Sequence, residues 1–234
     1  MNQALTIFIE LIKTLPNIIM LYTLTIIFSI PLGILGALAY TGKNKIVKFF
    51  ISVYTWIFRG TPLMLQLMVV YYGIPLMNFG GYKIVLAPYT AATITFIINY
   101  AAYLVEIMRS GIESIDKGQH EAAKVLGYSY WQKIIYVILP QAIRRVLPTL
   151  GNEAITLIKD TSLIYVLAVT EVMKRTKELA NIYYNVTPYI CAIIIYLVLS
   201  FAVDRIFKNI EKRNKKVAEE LVKLFITWNG EYEF

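Results

Sequence analysis

The residues from Pro16 to Tyr40 run without a single charged side chain. A helix of that length, rising about 1.5 Å per residue, covers the ~30 Å hydrocarbon core of a bilayer. A water-soluble fold would have to wrap such a run on all sides, whereas in a bilayer a helix satisfies its own backbone and needs nothing more. Comparable stretches recur along the chain: 58% of its 234 residues are hydrophobic and 16% are charged. The chain is therefore read as an all-α integral membrane protein with a single domain, 1–234. The net charge of +8 does not point to nucleic acid, because Lys and Arg gather between apolar segments. Cys191 is the only cysteine and His120 the only histidine, which excludes an intrachain disulfide and a histidine-based metal cluster. No cleavable leader is expected, since the N-terminus lacks a basic region and the first apolar run is too long.

Five spans are predicted, at about 15–40, 62–77, 84–108, 134–168 and 187–207. Residues 1–14 are mildly amphipathic and either lie along the interface or extend the first span. Gly33 and Ala37, four apart, offer a small-residue face for close helix packing. The segment 49–77 is interrupted by Arg59-Gly60-Thr61-Pro62. A charge is costly at the bilayer centre and proline suits a first helical turn, so Arg59 is placed near the membrane surface, with 49–58 as an interfacial helix. A short external loop, 78–83, follows. The fourth span carries Pro140 and Pro148, which should kink or break it, together with Arg144, Arg145, Glu153, Lys159 and Asp160. The segments 41–48 and 109–133 and the tail 208–234 together hold most of the Lys and Arg between spans, alternating with 78–83, which holds Lys83, and 171–178, which holds Lys174, Arg175 and Lys177. That bias puts the N-terminus outside and the C-terminus in the cytoplasm. The tail ends in an amphipathic piece, Val217 to Trp228, suited to anionic lipid or a partner. Asn185-Val186-Thr187 fits a glycosylation acceptor and is discounted.

The polar interruption at 109–133 lies between long apolar segments, where a short helix has few lipid contacts to make and suits contact with another protein at the membrane surface. Within it Glu121-Ala122-Ala123 is followed by Gly127 and then by Leu139-Pro140, with Val137 where the pattern prefers Ile. Glu121 to Leu126 reads as a short helix stopped by Gly127, and a second helix starts near Ser129. This motif resembles the cytoplasmic loop of ABC-transporter permease subunits of the bacterial import type. Arg59 to Leu67, Tyr103 to Ile112 and Lys159 to Leu163 are similar to signatures of the polar amino-acid uptake class (histidine, glutamine, glutamate, arginine), in the expected order. The resemblance implies a type I ABC-importer permease bundle with a cytoplasmic coupling helix. It assigns ATPase coupling to Glu121, Ala122, Ala123, Gly127, Leu139 and Pro140, the two alanines letting the helix sink into a cleft. It implies a second permease subunit (a homodimer), two ABC ATPase subunits, an extracytoplasmic substrate-binding protein and a prokaryotic cell membrane. No G-x-x-x-x-G-K-[ST] loop occurs in the chain, so ATP and Mg belong to the partner ATPase; no cofactor, metal or catalytic residue is expected here. Transport would proceed by alternating access.

Ionisable residues at membrane depth are candidates for substrate contact. Glu153 and Asp160, seven apart, share a helix face about 10 Å apart along the axis. Two carboxylates suit an amino acid with a cationic side chain: arginine, lysine or histidine. Asn99, Thr161, Ser162 and the backbone at a broken helix are the expected donors for its carboxylate. Arg144 and Arg145 are read as surface anchors. The competing readings are a glutamine or glutamate importer whose specificity lies in the binding protein, a self-contained secondary transporter or channel, and a membrane scaffold or sensor.

Overall fold

The computed structural model describes residues 3–77 and 83–230, with side chains to residue 216. Every regular element among them is helical. In chain order these are α1 (Gln3–Ile12), α2 (Leu15–Thr41), α3 (Lys45–Gly60), α4 (Leu63–Met68), α5 (Ile74–Leu76), α6 (Pro88–Glu113), α7 (Lys117–Val125), α8 (Tyr130–Lys133), α9 (Leu139–Asp160), α10 (Val172–Tyr183) and α11 (Thr187–Gly230). Residues Val69–Gly73 and Ile134–Ile138 are π-helical, and Thr161–Leu167 forms a 3₁₀ turn after α9. Three stretches among the described residues are long and apolar enough to cross a membrane: Gln3–Thr41, Pro88–Glu113 and Thr187–Lys216. A fourth is the bent pair Lys45–Gly60 and Leu63–Leu76, whose axes differ by 101°. α9 is not among them, because one of its faces is charged.

Several predicted boundaries move. The third span begins at Pro88 rather than residue 84, and its helix continues to Glu113, into the expected loop. The cause is on the helix surface: Arg109 donates to Glu106, three residues before it, and to Glu113, four after, and such pairs support a helix beyond the membrane. The fifth helix runs on through the basic tail to Gly230. The side chains of the amphipathic piece Val217 to Trp228, and residues 78–82 of the external loop, lie outside the described residues. Neither Pro140 nor Pro148 breaks the fourth segment; Pro148 sits inside α9. Both π turns end two residues before a proline, Pro75 and Pro140. Proline has no N–H for the carbonyl four residues back, and a π turn, whose bonds reach five residues, carries the backbone past that gap.

Helices in lipid gain little from hydrophobic exclusion and instead pack closely through small residues. α2 lies along α6 in this way. Ala37 is buried in a cluster with Met108, Ile112, Ile138 and Ala142. At Gly33 an added Cβ would stand 2.4 Å from Leu104 Cβ, so the predicted Gly33–Ala37 face is the contact with α6. α1 buries Ile7 and Leu11 against Val172, Leu179, Cys191 and Ile195 of α10 and α11, which extends the first span rather than leaving it on the interface. Arg175 of α10 donates to Glu10 of α1 at 2.9 Å, so these two ends share one side of the bundle.

Glu171 caps α10. Its carboxylate accepts from the backbone N–H of Met173 and Lys174, both at 2.6 Å, and the residue is fully buried. Burial pushes its carboxyl up to about 7, against the pull of those two N–H groups, Tyr196 and Lys177. A carboxyl raised in the fold binds its proton more tightly folded than unfolded. The stability it contributes is complete below its ordinary value of 4.5 and is lost as pH rises through about 7, by up to about 3 kcal/mol.

Two expectations follow from these contacts. Gly33→Val should lower the thermal midpoint in detergent by the equivalent of about 1–3 kcal/mol, the usual cost of overpacking, whereas Gly60→Ala, with nothing within 4 Å of its added Cβ, should not; equal midpoints for both variants would contradict the close approach. For Glu171→Gln, the midpoint relative to the parent should climb between pH 5 and pH 7.5, and a pH-independent difference would contradict the buried carboxyl.

Candidate functional site

α3 ends at Gly60 and α4 begins at Leu63, and the chain turns sharply between them. A helix end leaves its last carbonyls without partners, which is expensive away from water. Here side chains supply the donors. Thr61 Oγ1 donates to Ile57 O at 2.8 Å. Gln66 Nε2 reaches Phe58 O at 2.9 Å, Thr61 O at 3.1 Å and Thr61 Oγ1 at 2.7 Å, two protons shared among three acceptors. Asn99 Nδ2, from α6, donates to Phe58 O and to Gln66 Oε1, both at 3.0 Å. The break is thereby fixed to the middle of α6.

Beside the break lies a cavity of about 480 Å³. The junction contributes Arg59, Thr61 and Pro62; α6 contributes Asn99, Tyr100 and Tyr103; α9 contributes Glu153, Thr156 and Asp160. Glu153, Thr156 and Asp160, spaced three and four apart, form one stripe of α9. Tyr100 donates its hydroxyl to Asp160 Oδ2 at 2.7 Å, so Asp160 pairs with a phenol rather than with Lys159. Arg59 Nη1 stands 3.8 Å from Glu106 Oε2, with its guanidinium 5.6 Å from the centre of the Tyr103 ring.

Of the residues read from the sequence, Asn99, Glu153 and Asp160 come together on this cavity. Thr161 and Ser162 do not. Their hydroxyls turn back onto Ile158 O at 2.6 Å and Lys159 O at 2.8 Å where α9 tightens into the 3₁₀ turn, and Thr161 is fully buried. Arg59, placed near the membrane surface from the sequence, lines the cavity. Tyr100, Tyr103 and Thr156 were missed, although the spacing of Thr156 between the two carboxylates marks it. No group of three or more His, Cys, Asp or Glu among the described residues could hold a metal ion.

The second element is the loop after α6. Asp116 caps α7 by accepting from Gly118 N at 2.6 Å. Gly127 takes φ +75°, and Tyr128 N donates back to Ala123 O at 3.0 Å. This is the left-handed helix stop that glycine permits. Ser129 and Gln132 form a reciprocal capping box at the start of α8. Glu121 and Ala122 face outward, but Ala123 is only 2% exposed and packs into this chain. Of the two alanines only Ala122 is exposed, while Ala123 holds α7 against its own chain. Leu139 is half-buried and Pro140 exposed. Apolar side chains protrude among the polar ones: Val125 at 88% exposure, Leu126 at 72% and Trp131 at 61%.

Residues 29–216 match the family described as binding-protein-dependent transport system inner membrane component. The chain belongs to that family. The permease is 38% identical over 185 residues to the glutamine transport system permease protein GlnP of Escherichia coli K12, covering 79% of this chain and 83% of the relative. It is 38% identical over 190 residues to the arginine transport system permease protein ArtQ of Bacillus subtilis, covering 81% and 85%. A crystal structure of an amino acid ABC transporter with histidines superposes with a TM-score of 0.74 at 33% identity, covering 88% of the permease and 98% of that chain. The resemblance read from the loop and span motifs is borne out, as is the all-α permease bundle.

Gln66 joins both sides of the break, so Gln66→Leu should leave an Asn99 N–H without its acceptor and the Phe58 carbonyl with Asn99 as its one side-chain donor. Each buried polar group left unpaired costs about 1–3 kcal/mol. Thermal unfolding in detergent should show a clear drop for Gln66→Leu and a smaller one for Gln66→Glu, which keeps an acceptor for Asn99; an unchanged midpoint for both would contradict the role assigned to this network.

Proposed function

We propose that the permease is the membrane-spanning subunit of an ATP-driven importer of a polar, basic amino acid, taken up by alternating access. The carrying observation is the cavity at the α3–α4 break, walled by Glu153 and Asp160 on one stripe of α9. A ligand with a cationic side chain and an ammonium group matches two carboxylates, and charged hydrogen bonds in such a site are worth about 1.5–3 kcal/mol each. The glutamine and arginine relatives are equally identical to this chain, so overall similarity does not choose the substrate; the two carboxylates of the cavity support a basic one. Five spans give the working topology, α9 being the fourth, its charged stripe turned to the cavity. The Glu10–Arg175 pair at 2.9 Å supports the N-terminus and the 171–178 segment sharing one side, which the basic loops make the external one. α7 and the exposed Val125, Leu126 and Trp131 meet an ATPase subunit that binds ATP and Mg. A second copy of the permease and an extracytoplasmic binding protein complete the transporter. Membership of a binding-protein-dependent family weighs against a self-contained channel, a secondary transporter or a scaffold.

The test is substrate-dependent ATP hydrolysis by the transporter reconstituted in proteoliposomes, with arginine, lysine, histidine, glutamine or glutamate trapped in turn. Basic amino acids should stimulate, and Glu153→Gln or Asp160→Asn should weaken the response about tenfold or more. Unimpaired arginine uptake in both variants, or an equal response to every amino acid, would move specificity to the binding protein and leave the two carboxylates structural.

A further inference from the structure

The cavity carries a cation as well as two carboxylates, and an amino acid carries an anion as well as its cations. The side chains expected to meet that anion are already engaged. Asn99 spends its N–H₂ on Phe58 O and Gln66 Oε1, and Thr161 and Ser162 donate to the carbonyls of α9. Arg59 is different. It lines the cavity, and no hydrogen bond from its guanidinium is present among the described residues. Its one ionic contact, 3.8 Å to Glu106, is longer than a hydrogen bond. That contact is long because Glu106 is occupied: Oε2 accepts from Arg109 Nη2 at 2.6 Å and Nε at 3.1 Å, and Oε1 accepts from Thr55 at 3.1 Å. Glu106 thus attracts the guanidinium into the cavity wall without capping its N–H groups. The Tyr103 ring, its centre 5.6 Å from the guanidinium carbon, adds a cation–π contact. A guanidinium so held presents a planar fork matched to a carboxylate.

We propose that Arg59 recognises the α-carboxylate of the transported amino acid, with Glu106 as the residue that positions it. This rests on reading the cavity as the substrate site, and it separates the two ends of the ligand: carboxylate on α3, cations on α9. Removing the carboxylate from the ligand should then have the same effect as removing the guanidinium from the protein.

The experiment is equilibrium binding of radiolabelled ligands to the permease–ATPase complex in nanodiscs, using arginine and agmatine, which is arginine without its carboxylate. The parent should bind arginine at least tenfold more tightly than agmatine. Arg59→Gln should lose at least tenfold in arginine affinity while agmatine changes less than twofold or tightens. Arg59→Lys, which keeps the charge but not the fork, should fall between, and Glu106→Gln should weaken arginine less than Arg59→Gln does. An unchanged arginine-to-agmatine ratio in Arg59→Gln overturns the assignment, provided its thermal midpoint matches the parent's; if it does not, the ratio in Arg59→Lys decides. Glutamine and γ-aminobutyramide, its counterpart without the carboxylate, form a second pair. If the parent binds glutamine and not arginine, the basic-substrate reading fails while this pair decides Arg59 by the same ratio. Binding of neither pair overturns both.

Discussion

A backbone break inside a membrane protein is stable only if its carbonyls find donors, and this fold is arranged around one such break. α3 and α4 part at Gly60-Thr61-Pro62, and the freed carbonyls of Ile57 and Phe58 are taken by Thr61, Gln66 and Asn99. Unpaired, those groups would cost several kcal/mol in lipid. The donors come from both sides of the turn and from α6, so the repair also fixes the break against the helix that carries the tyrosines of the cavity. The space left where two helices part at 101° is the space the cavity occupies.

α6 is the element through which the rest communicates. One side accepts α2 at Gly33, where side chains are small enough for backbones to meet. Another carries Asn99, Tyr100 and Tyr103 to the cavity, then Glu106, Arg109 and Glu113 in a line of ion pairs toward the loop. Arg109 also stands over the Tyr40 ring of α2 at 4.9 Å. The helix leaves the membrane with its charges paired along its own surface, and α7 follows it after only a few residues. A displacement of α7 by a partner would thus be felt by the helix that holds the cavity wall, which is the mechanical requirement for coupling at a distance.

Much of this was legible in the sequence. The uncharged run Pro16–Tyr40, the small-residue face at Gly33 and Ala37 and the helix stop at Gly127 were all read from the sequence and stand in the structure. The seven-residue spacing of Glu153 and Asp160 placed both on one face of α9. What was not legible depends on partners distant in sequence. Arg59 was placed near the membrane surface because an isolated charge is costly at depth; that it lines the cavity beside Glu106 and Tyr103, more than forty residues on, was not legible. Thr161 and Ser162 were read as ligands because hydroxyls donate; the sequence does not reveal that α9 tightens there and takes those protons for its own carbonyls. Ala123 looked like a twin of Ala122 until the packing of α7 turned one in and one out.

The central claim is that one cavity, set by a repaired helix break, holds a cationic amino acid within the membrane. A cryo-electron microscopy structure of the assembled transporter with arginine, in the presence of ATP and a hydrolysis-deficient ATPase subunit, tests it most directly. The account predicts ligand density between the Glu153–Asp160 stripe of α9 and the α3–α4 junction. Arginine seen only in the external binding protein, with this cavity closed by side chains in every conformation resolved, would contradict it.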